Sequence, residues 1–212
     1  MLTTLDKPFL YNYGITLATA FLKLNNLPIP DYLTYEEVWQ MNPESVMFRR
    51  LRKLAGGPAQ GTGTGWYYKN TVFVNLKASA RAVQNPCVMS WSYPRYKIDR
   101  TPTGVVAHET GHHVDEVFRL QGFPSTQRNL LWEKVVKESK RVTGYEPVLS
   151  ESWAETMRLF ILNPDLLRLG SPLRYDCVLS VGLKPSITDD FRTVLDHPAY
   201  IAAAEKWITK IK

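Results

Sequence analysis

Hydrophobic positions along the chain follow two periods, and the change between them outlines the fold. Tyr13, Leu17, Phe21 and Leu24 recur at three- and four-residue intervals, which predicts an amphipathic helix over about residues 8–25, ended ahead of Pro28 and Pro30. A second helical stretch is expected over about 34–54. It opens at Thr34 with Glu36 and Glu37 in its first turn, meets Asn42-Pro43 as a point of interruption, and runs into Gly56-Gly57-Pro58. Residues 65–76 change character: two β-rich runs flank Lys69-Asn70, which reads as a hairpin or tight bend.

From residue 101 the pattern is helical again. Thr101-Pro102 is a helix start with Pro at the first position, and Gly122 is a stop. Further helices are expected over about 125–142, from near Ser150 to a stop at Pro164, around 171–181, and from Asp196-His197-Pro198 onward. The expected class is α+β, mostly helical with a small mixed β-sheet. Residues 1–60 read as a helical extension packed on the core, and residues 61–212 as the domain that carries the chemistry, together one compact unit.

Composition narrows the classes. A hydrophobic fraction of 44% with six Trp, eleven Tyr and eight Phe can fill a core, so disorder is excluded as the main state. The two cysteines, Cys87 and Cys177, lie far apart without CxxC spacing and read as reduced thiols rather than metal ligands or a disulfide framework. No apolar run reaches the roughly 18 residues of a membrane span. The run from Gly14 to Leu22 lacks a basic leader and follows Asp6, so it suits a helix better than an export signal. A cytoplasmic protein is the expectation.

The net charge of +6 favours acidic partners in general without the density of a dedicated nucleic-acid binder. Arg49, Arg50, Arg52 and Lys53 read first as the solvated face of a helix. The glycine-rich stretch from Gly61 to Gly65 lacks the Lys-Ser/Thr of a phosphate loop and the spacing of a dinucleotide fingerprint, and reads as a mobile surface turn.

The chemistry concentrates on the helix after Pro102. His108-Glu109-Thr110-Gly111-His112 is an HExxH segment. At about 100° per residue its two histidines lie about 40° apart on one face, one turn from each other, where both can reach a single tetrahedral ion. Val106, Ala107, Val114, Val117 and Phe118 fall on the other side, so the helix is expected to bury one face and present the other to a cleft. Glu109, beside the metal, is placed to act as general base on its water. His113 points further round and reads as a solvated or structural residue. Two histidines on a half-buried helix can also serve only as hydrogen-bonding core residues.

A catalytic zinc needs a third protein ligand. Residues 114–130 contain no histidine, and His197 belongs to a distant segment, so a carboxylate on a later helix is expected. Glu151-Ser-Trp-Ala-Glu155 offers two, one turn apart on one face, with Trp153, Met157, Phe160 and Ile161 on the other. One carboxylate can bind the metal while the other accepts the free ring N–H of a ligating histidine. Alternatively both are surface acids pairing with Arg158.

The run from His108 to Asp115, followed by Glu151 to Glu155, resembles the zincin domain of the anthrax lethal factor-like family and the metallopeptidases encoded by tailed bacteriophages. The family pattern is HExGHxVD, then ExxAE. The resemblance covers roughly residues 65–165. It implies a zincin-like fold and a zinc-dependent metalloendopeptidase acting on peptide or protein substrates, in the host cell or the virion if phage-encoded. It also implies Glu151 as third ligand to Zn2+, with Glu155 and Asp115 supporting the ligands from behind. A family tyrosine before the ligand Glu stabilises the oxyanion; Tyr145 lies close to that position. The mechanism that follows has extended substrate adding along the strand near 71–76. Two other readings compete. One is a non-catalytic phage-type structural or host-interaction protein retaining a zincin fold. The other is a DNA-associated SprT-type protease, whose usual third histidine this chain lacks.

Overall fold

The computed structural model describes residues 6–41, 44, 49, 63–79 and 99–185. The helix expected from Asp196 onward and most of 41–62 lie outside these residues, as do Cys87, His197 and the proposed boundary at residue 60.

Helix α1 (Lys7–Leu24) starts with Pro in its first turn and buries Leu10, Gly14, Leu17, Ala18 and Phe21. Leu24, expected on the apolar stripe, is instead exposed at the helix end, because the buried face is rotated toward Ala18 and Leu22. The Gly14–Leu22 run is thus inside a packed helix. Strand β1 (Asp31–Thr34) follows the two prolines, a strand that the sequence pattern did not predict. Helix α2 (Tyr35–Gln40) begins at Thr34 through a capping box with Glu37, as the acidic first turn suggested.

Strands β2 (Gly65–Tyr68) and β3 (Thr71–Val74) form the expected hairpin. Lys69 and Asn70 both have positive φ, 44° and 60°, the pairing a two-residue type I′ turn requires. The sheet order is β1-β3-β2, with β1 parallel and β2 antiparallel to β3. The fold is therefore α+β, mostly helical with a small mixed three-stranded sheet. One expectation fails here: β3 is the central strand, fully buried, so it offers no edge to a substrate. Among the described residues the edges of this sheet are β1 and β2.

Helix α3 (Pro102–Leu120) runs through the middle of the molecule. Thr101 caps it by accepting the Gly104 N–H, and Gly122 ends it at φ 93°. It packs against α1, the sheet and a later helix at once, so its polar residues Thr103, Thr110 and His113 are buried along with Val106 and Val114. The expectation of one wet face is corrected: only a narrow strip of α3 meets a cleft. Of the two readings for His113, solvated or structural, the second holds, since it is buried.

The long helix expected over 125–142 is broken. A 3-10 turn (Thr126–Arg128) precedes α4 (Leu130–Glu138), because the Asn129 side chain accepts the N–H groups of Leu131 and Trp132 and starts a new helix. Helix α5 (Leu149–Leu162) follows, then α6 (Pro164–Gly170) and α7 (Pro172–Ser180). Pro164 ends α5 as expected and also starts α6 at the position where its missing N–H costs nothing. The main core joins Leu17, Phe21 and Leu22 of α1 to Met157, Phe160 and Ile161 of α5, with Trp132 and Trp153 in edge-to-face contact. Helix α1 is thus part of the same core. Cys177 is a buried free thiol.

Candidate metal centre

Gly111, inside the HExxH segment, decides how closely α3 and α5 approach. A Cβ there would lie 2.9 Å from the Ala154 Cα and from the Met157 Cβ, so only glycine permits this separation. The Trp153 indole N–H then donates to the Gly111 carbonyl at 3.1 Å and fixes the register between the helices. That register brings the two acids of α5 onto the histidines of α3.

Glu151 Oε2 lies 3.1 Å from His108 Nε2, and Glu151 Oε1 lies 3.6 Å from His112 Nε2. One ligand atom from each of the three residues lies within 4.8 Å of the others. Ligands about 2.1 Å from a tetrahedral ion sit roughly 3.4 Å apart, which these two spacings bracket. The imidazole rings meet edge to face, centroids 5.0 Å apart. His108 is buried, whereas the His112 and Glu151 side chains are 20% and 22% exposed, so the centre opens to the cleft on one side. The donor set, two imidazoles and a carboxylate, suits a divalent transition metal.

Glu155 does what the sequence allowed for one of the two acids. Its Oε1 lies 2.7 Å from His108 Nδ1, leaving Nε2 on the side of Glu151. Arg158 is not a surface partner: it is fully buried, donates to both Glu155 oxygens at 3.1 Å, and lies 3.9 Å from Asp99. Asp99 in turn accepts the Thr101 N–H at the start of α3 and leaves room only for glycine at 104. A chain of charges thus runs from His108 through Glu155 and Arg158 to the N-terminus of the helix that carries His108. An Arg three residues after Glu155 was its only sequence signal; nothing marked Asp99.

The charges set one another's titration. Burial opposes ionisation of Glu151 and Glu155, yet the imidazoles, and for Glu155 chiefly Arg158, hold both carboxyls well below the usual range. Burial also works against a charged His108, but its hydrogen bonds to Glu151 and Glu155 push it up to about 10. Three carboxylates therefore gather where a cation is electrostatically favoured. Burial pushes the Glu109 carboxyl upward, with His108 and His112 pulling it back.

Glu109 is also shaped by β2. A Cβ at Gly65 would lie 2.9 Å from Glu109 Oε1 and 2.3 Å from a Val105 methyl carbon. The glycine-rich stretch, expected to be a surface turn, therefore forms a cleft wall over the candidate base, at least from Gly63 to Gly65. The cleft, of about 740 Å3, is lined by this stretch and β2 on one side, and by Tyr145, Ser150 and Glu151 on the other. The Tyr145 ring lies 6.0 Å from that of His108. Burial and then Glu151 raise its phenol pKa, so it remains a proton donor. Its neighbour Glu146 accepts the N–H groups of Val142 and Thr143 and pairs with buried Arg174 at 2.8 Å, which anchors the loop.

Asp115 lines the cleft one turn past His112, and its Oδ1 accepts the Thr126 N–H at 2.9 Å; it braces the wall rather than an imidazole among the described contacts. The His113 Nε2–H donates to the Pro28 carbonyl at 2.8 Å, and its Nδ1 lies 3.2 Å from the Tyr67 hydroxyl, which also bonds Glu116. His113 thus ties the segment before β1 and strand β2 to α3. No helix among the described residues is long and apolar enough to cross a membrane.

A scan of protein-family models, a search of curated proteins and a search of solved structures each found no match to this chain.

Proposed function

We propose that this chain is a zinc-dependent metalloendopeptidase with a zincin-type centre. The observation that carries the reading is the convergence of His108, His112 and Glu151 from two helices within 4.8 Å, with Glu109 buried beside them at an open cleft. Two imidazoles, a carboxylate, a nearby free carboxylate and room for substrate are the parts that metal-assisted hydrolysis needs.

When bound, the ion would polarise the scissile carbonyl and lower the pKa of water toward about 7. Glu109 takes the proton from the attacking water and delivers it to the leaving nitrogen. Tyr145, protonated and lining the same cleft, donates to the oxyanion that develops on the substrate's carbonyl oxygen. Glu155 keeps His108 in the tautomer whose Nε2 lone pair faces the cleft. An extended peptide adds to β2, whose Gly65–Tyr67 line the cleft, rather than to β3.

The test combines metal analysis of the purified protein with a peptide-library cleavage assay, with and without a chelator. One zinc per chain and chelator-sensitive cleavage are expected. Cleavage that survives complete metal removal, or a chain that takes up no divalent metal, sinks the proposal.

A further inference from the structure

The charged side chains that line the cleft can be accounted for one by one. Glu109, Glu151 and the two histidines belong to the metal centre. Asp115 is held by the Thr126 N–H. Glu116 accepts from the Tyr67 hydroxyl and pairs with Arg119 at 3.4 Å. Arg100 is left: it is exposed, lines the cleft where the chain enters α3, and has no hydrogen-bond or ion-pair partner among the described residues. It shares this cleft with Tyr145 and with His108, whose rings lie 6.0 Å apart, so a group bound at Arg100 lies in the same cleft as the metal centre.

The sequence on either side of β2 is one-sided in charge. Residues 45–98, which include β2 and the glycine stretch over Glu109, contain nine Lys and Arg and no Asp or Glu. Asp99, the first acid after them, is buried against Arg158. Along the sequence, the chain's excess of positive charge is thus concentrated in the stretch that contains β2.

We propose that the substrate is an acidic polypeptide, with an Asp or Glu side chain seated at Arg100. The inference rests on the peptidase reading for its chemistry, but its binding claim stands separately. An acidic peptide fits better than a nucleic acid because Arg100 lines the same cleft as Gly65–Tyr67 of the edge strand β2, to which an extended backbone can add. A planar guanidinium that is always charged makes a two-point bond to a carboxylate.

The test scans Asp, Asn and Lys through the three positions on each side of the scissile bond in otherwise matched fluorogenic peptides, with zinc-loaded protein. At one position Asp should exceed Asn by about three- to tenfold in kcat/KM, mostly through KM. Arg100→Glu should invert the order in favour of Lys, while Lys134→Gln, on the surface of α4, should leave it unchanged. A preference for Asn or Lys in the wild type, or an Asp preference that survives Arg100→Glu, overturns the inference while leaving the peptidase intact. A second arm needs no turnover: zinc-loaded Glu109→Gln is titrated with a labelled Glu-rich peptide, its Gln-rich counterpart and a duplex oligonucleotide. Tighter binding of the Glu-rich peptide, lost in an added Arg100→Glu, supports the inference even if no peptide is ever cut, in which case the peptidase reading alone falls. Equal binding of the two peptides, or an oligonucleotide that binds tightest, overturns it.

Discussion

Glu155 Oε1 stands 2.7 Å from His108 Nδ1, and the same carboxylate is gripped by Arg158 on its other side. A histidine with one nitrogen so occupied has only the other to offer a metal. Glu155→Gln keeps the shape but removes the charge that strengthens His108 as a ligand. Its zinc affinity should fall about ten- to hundredfold, read by competition with a zinc-binding dye. Unchanged affinity would remove Glu155 from this role.

Arg158→Met leaves Glu155 and Asp99 buried beside each other without their cation. The expected loss is about 3–5 kcal/mol of stability in urea unfolding. Adding Glu155→Gln to that variant should recover part of the loss, since one of the two stranded charges is gone. If the double variant is no more stable than Arg158→Met, the ion pair does not couple as the distances imply.

Glu109→Gln separates binding from chemistry. The amide cannot take a proton, so peptide cleavage should drop by about 10²–10⁴-fold while the protein still binds one zinc. Turnover near the wild-type rate in this variant would rule Glu109 out as the base.

Gly65→Ala tests the wall over the base. The added methyl would meet Glu109 Oε1 at 2.9 Å and Val105 at 2.3 Å, so the carboxylate must move. Displacement of a reacting group by about 1 Å can cost on the order of 10²-fold in rate. Metal content should stay the same while kcat falls; an unaffected kcat means that β2 does not set the position of Glu109.

Tyr145→Phe removes one donor facing the cleft. A fall in kcat of about 10²–10³-fold, with KM and zinc affinity near their original values, is the expected outcome. A change confined to KM would mark Tyr145 as a binding surface and leave the oxyanion donor to be found elsewhere.

Features carried by near neighbours in the chain were legible in advance. His108 and His112 share a face because a helix turns 3.6 residues at a time, and that holds wherever the helix sits. Thr101-Pro102, Gly122, Thr34 with Glu37, and Lys69-Asn70 likewise act within one turn of backbone, so their caps and bend could be read from spacing alone. The helix expected over 125–142 shows where that logic falls short. Its apolar spacing was acceptable, but the Asn129 side chain competes for backbone N–H groups and Asp115, eleven residues earlier, holds Thr126.

From the order of residues alone came the pair of imidazoles, the adjacent glutamate, and two later acids able to complete the set. Packing decided the rest: that Glu151 reaches both histidines while Glu155 backs only one, that Arg158 and Asp99 are buried behind them, and that Gly65 rather than β3 borders the cleft. The reason is one of range. Backbone periodicity and capping are settled by bonds within a few residues, whereas these relationships depend on how closely α3 and α5 approach at Gly111, which is a matter of complementary volume between segments some forty residues apart.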